Sequence, residues 1–347
     1  MPQALPDRRG QRNSAVELYR FLFCMLVMLH HTYIIGAEGN YPFRGAYLCV
    51  EFFFMLSGFY TLRHIDRAPK EKYLGREAEY AVRSTLARFR PIFLYAAICV
   101  PVHYIFEYLY VYHNVRRFCY MPFEMFLLQM SGLDITFSII PLWYVSCLLL
   151  TLPVLIYMLT AKRELTENLL AILLPLVIYG YFRNKYGGIY SWHHLAGFTF
   201  DGNFRAAAGL FLGCLAYSLT KKTSLTKCQK RLVIPMLAAV TCSVLYILYS
   251  YYRLNMDFVA IALFFLLLTL LQTEPFRGWN VPFINLLGTL SLPLYMCHWT
   301  VGRVIEKFCG GWEYNDKLIM FMTISIIYAA LLLIFARAVN GFASRKN

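Results

Sequence analysis

The run Phe21–Ile35 reads FLFCMLVMLHHTYII and decides the class of this chain. It is apolar enough to lie in lipid, yet it carries His30 and His31. An ionisable group in a membrane span is costly and by default marks a functional site, whereas a lone histidine in a soluble core helix is usually a satisfied structural residue. Arg20 stands eleven positions before His31. That is almost three helical turns, so the two project from one face, roughly 16 Å apart along the axis. His30 lies about 100° off that face.

The rest of the chain agrees with a membrane setting. Hydrophobic residues make up 59%, charged residues only 15%, and mean hydropathy is +0.51, outside the habits of a soluble domain. The 28 Phe and 27 Tyr suit interfacial belts and bundle packing. The pattern predicts an all-α, polytopic transmembrane bundle of about ten spans, near 18–36, 46–63, 91–110, 141–160, 168–183, 204–220, 232–251, 257–273, 284–304 and 317–338. The fifth is short and broken by Pro175, and Met121–Gly132 reads as a re-entrant or interfacial helix. The apolar run after Arg8, Arg9 and Arg12 flows into a second one without a small-residue cleavage site, so no cleavable signal is expected.

A net charge of +14 would suit nucleic acid, but the positions of the charges argue for topology instead. With the N-terminus inside, 22 of the 33 basic residues fall on inner loops, eight of them between Arg63 and Arg90. This asymmetry places both termini in the cytoplasm. The ten cysteines form no C-x-x-C pair, and most lie inside spans as small apolar residues. Cys119 and Cys309 both fall outside and are open to pairing. Phosphate-loop, nucleophile-elbow and H-E-x-x-H motifs are absent, and no metal site is expected.

Five short motifs occur in a telling order. They are Leu18-Tyr19-Arg20…His31, Val50–Phe59 (VEFFFMLSGF), Arg88-Phe89-Arg90-Pro91, Pro141-Leu142-Trp143-Tyr144 and Ser291–Trp299 (SLPLYMCHW). This set resembles the acyltransferase 3 family of integral membrane O-acetylases of cell-envelope glycans. The resemblance covers nearly the whole chain and implies one domain over 1–347, with short cytoplasmic tails at about 1–16 and 339–347. It also implies a bacterial inner-membrane location and acetyl-CoA as donor rather than a permanently bound cofactor. The acceptor would be an envelope saccharide or a lipid-linked precursor. Arg20 and His31 match the family's essential pair. Glu51 precedes its F-F-x-x-S-G-F element, and Arg88 and Arg90 match a cytoplasmic Arg-x-Arg near the donor. Many members carry a glutamate after the Leu-Trp-aromatic motif, but Val145–Pro153 holds no acid.

O-acyl transfer asks a sugar hydroxyl to lose its proton as it attacks a thioester carbonyl. A neutral His31 imidazole suits the base, and Glu51 could hold its tautomer as the third member of a triad does. Arg20 pairs with a carboxylate or a CoA phosphate, or simply snorkels to the headgroups. Arg88 and Arg90 read equally as donor ligands or as a positive-inside flank, and Phe89 as an adenine contact or a lipid-facing side chain. Ser57 is a weak nucleophile candidate because no base is spaced for it, while Gly58 permits close helix approach. His298, with Tyr295 one turn earlier, is a second site histidine or an interhelical hydrogen bond. Trp143 and Tyr144 read most simply as an interfacial anchor, with acceptor contact or support of the site as the alternative. His193, His194, Trp192 and Asp201 lie in an outer loop, 184–203, suited to a glycan or simply solvated. A non-enzymatic exporter of a lipid-linked sugar or acyl group, and an acyltransferase acting on an amine, are the alternatives.

Overall fold

The computed structural model describes residues 12–36, 41–133, 138–222, 225–250 and 256–344. Arg8, Arg9, Arg345 and Lys346, counted above toward the topology, lie outside the described residues. Among those described, ten long helices form the bundle: α1 Ser14–His30, α2 Cys49–Arg67, α3 Glu77–Glu107, α4 Leu142–Ala161, α5 Ala171–Tyr186, α6 Asp201–Lys222, α7 Lys227–Ser250, α8 Met256–Leu271, α9 Pro282–Phe308 and α10 Tyr314–Ser344. A two-stranded hairpin, Leu195–Ala196 against Thr199–Phe200, is antiparallel.

Seven of the helical segments are long and apolar enough to cross a membrane, rather than about ten. The three that fall short are α6, α8 and α9. Helix α8 is apolar but has only 16 residues. Helices α6 and α9 carry the polar residues of the site described below, Arg205 and His298 among them, and polarity lowers their hydropathy.

Glycine decides the tightest packing. A Cβ on Gly58 of α2 would stand 1.9 Å from the Leu210 carbonyl oxygen of α6, and one on Gly213 would stand 1.9 Å from that of Met55. The two backbones therefore touch, as small-residue stripes allow where lipid supplies no hydrophobic drive. Pairs along this crossing run in step, Glu51 with Arg205 and Asp66 with Tyr217, so α2 and α6 are parallel. Helices α1 and α9 are parallel too, joined by Arg12 with Thr289, Cys24 with Ser291 and His31 with His298.

Several expected boundaries move. Helix α3 begins at Glu77, not near residue 91, and runs on through Pro91 and Pro101. Arg88 and Arg90 are thus well inside a helix instead of on a loop flank. Pro175 does not break α5; a π-turn at Thr166–Leu170 leads into it instead. Met121–Gly132 is not one helix but a five-residue helix, Met121–Met125, and a separate turn at Gln129–Ser131. The Cys119–Cys309 pairing does not form: both thiols are free, Cys119 exposed and Cys309 buried.

Candidate active site

Helix α1 ends at His30, and His31 opens a 3-10 turn that runs to Ile35. The turn swings His31 toward α9, where its Nδ1 lies 3.1 Å from Nε2 of His298. Both rings are buried. Their tautomers follow from their neighbours. His298 Nδ1 faces two backbone carbonyls, Tyr295 at 2.8 Å and Leu294 at 3.3 Å, and a carbonyl only accepts. In the neutral ring Nδ1 therefore carries the hydrogen and Nε2 the lone pair. His31 Nδ1 must then donate to that lone pair, which leaves Nε2 of His31 as the basic nitrogen. The carbonyls of α9 thus orient the second histidine, and the second histidine orients the first, the role a carboxylate has in a catalytic triad.

His31 opens on a cavity of about 440 Å³, the histidine cavity, whose walls include His30, Arg44, Trp143, Trp192, Arg205 and Asp257. A second cavity of about 580 Å³, the arginine cavity, lies toward the other end of the bundle and is lined by Arg20, Ser57, His64, Arg88, Phe89 and Tyr144. Tyr295 lines both. Its hydroxyl donates to the Pro141 carbonyl oxygen at 2.5 Å, and its ring packs edge-on against Tyr144, 5.6 Å between centroids. The two chambers therefore meet at a tyrosine held in place from two sides.

The candidates of the sequence divide between the chambers. Arg20 lies on α1 and His31 in the turn that follows it, and they line different cavities; Arg20 pairs with Glu17 at 2.9 Å. His30 lines the same cavity as His31, so its angular offset does not remove it from the site. Glu51 does not reach His31. It is fully buried, accepts from Arg205 Nε at 2.8 Å and from the Tyr179 hydroxyl at 3.0 Å. The contact with His31 that was expected of it is made instead by His298. Arg88 lies in the wall of the arginine cavity and donates to Thr61 Oγ1 at 2.5 Å. Phe89 is buried there, not lipid-facing, while Arg90 is exposed and lies outside the cavity wall. Ser57 Oγ is spent on the Phe53 carbonyl of its own helix, at 2.8 Å. Trp143 and Tyr144 are not an interfacial anchor but walls of the two cavities.

The loop 184–203 folds back over the histidine cavity. Tyr186, Gly188, Tyr190 and Trp192 line it, and Trp192 stacks on Trp143, 5.6 Å between centroids at 19°. Asp201 anchors the loop, accepting from Ser191 at 2.5 Å and from Tyr181 at 3.2 Å. Partial burial, and the His194 ring beside it, hold His193 below the ordinary histidine range, so it is neutral at pH 7.

Two residues of this cavity escaped the sequence reading. Span six was expected to begin at 204, which made Arg205 a flanking charge; the helix begins at Asp201, and Arg205 is 1% exposed. Asp257, at the start of α8, is buried too, accepting from the Tyr47 hydroxyl at 2.8 Å and the Ile189 amide at 2.9 Å. The available signal was a charge beside an apolar run, which in a membrane protein marks a site as readily as an edge. Among the described residues no cluster of His, Cys, Asp and Glu is placed to hold a metal ion.

A family model described as an acyltransferase domain, that of acyltransferase 3, matches residues 13–339. The chain belongs to the acyltransferase 3 family. No curated protein and no solved structure matches it. Membership carries acyl transfer with it and sets aside the exporter reading. The two cavities and the histidine pair are what this acyltransferase offers to that chemistry.

Proposed function

We propose that this acyltransferase moves an acetyl group from acetyl-CoA to a hydroxyl of a cell-envelope saccharide or its lipid-linked precursor, and that it does so across the bundle. The observation that supports this most is Tyr295, shared by two chambers of different chemistry. The donor occupies the arginine cavity. Its pantetheine arm lies along the apolar wall of Phe53, Leu148 and Leu152, and its phosphates meet Arg20 and Arg88 toward the mouth. The acceptor occupies the histidine cavity, where aromatic walls and His31 await it.

His31 Nε2 takes the hydroxyl proton as the oxygen attacks the thioester carbon at Tyr295. The C–S bond then breaks, the coenzyme A thiolate leaves, and the ester stays on the saccharide. His298 stabilises the imidazolium that forms.

The same reading assigns sidedness. The bundle lies in the membrane of a bacterial cell, with both termini and the excess of basic residues inside. Asp66 gathers Arg163 at 2.5 Å and Lys221 at 2.6 Å at the inner end of the bundle. The arginine cavity faces the cytoplasm, where acetyl-CoA is made, and the histidine cavity faces outward. Mass spectrometry of surface glycans from cells with and without the protein tests the activity. The expected result is an acetyl increment that vanishes on deletion and returns with the wild-type chain but not with His31→Ala. Identical glycans in both strains would refute it.

A further inference from the structure

Among the described residues Arg205 is the largest fully buried side chain, and its guanidinium is fixed on two sides. Nε donates to Glu51, and Cζ lies 4.9 Å from the centre of the Trp143 ring. Nη2, by contrast, is buried without a hydrogen-bond partner among the described residues, in a side chain that lines the histidine cavity. An unmet N–H on a buried cation is expensive, and its persistence asks for an acceptor that arrives from outside.

The surroundings say what kind of acceptor. Glu51 already offsets the Arg205 charge, so the site does not call for a second anion. Asp257, the acid in the cavity wall, has one oxygen taken by Tyr47 and the other by Ile189, so it offers little to a ligand's donors. The Arg205 N–H, with His30 Nδ1 likewise unmet among the described residues in the same wall, is a donor for an uncharged oxygen, set among Tyr41, Tyr47, Trp143 and Trp192. A pyranose ring fits that description: apolar C–H faces for the aromatic walls and hydroxyl or ring oxygens for the N–H.

We infer that Arg205 is an acceptor-binding residue, its Nη2 donating to a saccharide oxygen in the histidine cavity, with Glu51 and Trp143 as the positioning residues that aim it. The inference rests on the reading of that cavity as the acceptor site. Because the guanidinium is clamped before the sugar arrives, the ordering cost of this contact is already met and its geometry selects which ring oxygen faces His31.

Removing Arg205 alone would leave Glu51 buried without its counter-charge, and misfolding would hide the answer. The informative variant replaces the whole network with apolar side chains of similar size, Arg205→Met with Glu51→Leu and Tyr179→Phe. Such exchanges of buried ionic groups often preserve stability. Purified protein would be assayed with radiolabelled acetyl-CoA and the cell's own envelope glycan, stripped of O-acetyl groups by mild base, alongside a thermal melt. The expected result is an intact melt, a donor KM within about twofold of wild type, and an acceptor KM raised roughly tenfold or more. Arg205→Lys, which keeps a charge for Glu51 but lacks the planar fork, should also raise the acceptor KM, and it decides the matter if the triple variant does not fold. A wild-type acceptor KM in either folded variant would make Arg205 a purely structural residue and overturn the inference. If the wild-type protein itself transfers nothing to the stripped glycan, it is the reading of the preceding subsection that fails.

Discussion

His31 was the residue to question from the sequence, but its partner could not be read there. Helical periodicity aligns Arg20 with it, but α1 ends at His30, His31 opens a 3-10 turn, and the two residues line different cavities. The true partner, His298, stands 267 positions away in the chain, and only the parallel packing of α1 on α9 brings it within 3.1 Å. Glu51 shows the same limit from the other side. Its position before the F-F-x-x-S-G-F element marked it as important, yet nothing local says that it faces Arg205. The tautomer argument predicts an order of effects. His31→Ala should cost about 10²- to 10⁴-fold in turnover, the range of a general base. His298→Ala should cost less, because the base survives in a poorly held orientation, and His30→Ala least of the three. Initial rates with protein levels matched in the membrane would check this, and a dispensable His31 beside an essential His30 would reverse it.

At the scale of the helix, the sequence was most legible where apolarity was continuous and least where the site intruded. Helices α2, α4 and α7 begin within a few residues to about five of their expected positions, whereas α3 begins about fourteen residues early because its amphipathic first turns, Glu77 to Arg90, resemble a charged loop. The Ser57-Gly58 pair was correctly read as a close-approach point. The partner stripe, Gly209 and Gly213 of α6, completes it, with a Cβ on Gly209 falling 2.5 Å from that of Phe54. Adding a methyl there forces two backbones apart. Gly58→Ala and Gly213→Ala should each destabilise the folded protein by about 1–3 kcal/mol, the usual cost of overpacking. Gly180→Ala on α5, where an added Cβ meets nothing within 4 Å, should not. Thermal unfolding in detergent would compare the three. An equal melting point for Gly58→Ala and Gly180→Ala would show that the α2–α6 crossing is looser than drawn.

Over the whole molecule, hydropathy and charge asymmetry made the membrane class legible, and ordered motifs made the family legible. The two-chambered interior was not, since it depends on which faces of ten helices turn inward. Tyr295 is the residue that the two cavities share, one turn before His298 on α9. If transfer passes this residue, donor and acceptor need never share a compartment. Sealed inside-out vesicles with the stripped glycan trapped within the lumen, and radiolabelled acetyl-CoA supplied only outside, put this to the test. The account predicts label on the enclosed glycan, lost in His31→Ala vesicles. Label that forms only when glycan and acetyl-CoA are added to the same face would contradict it.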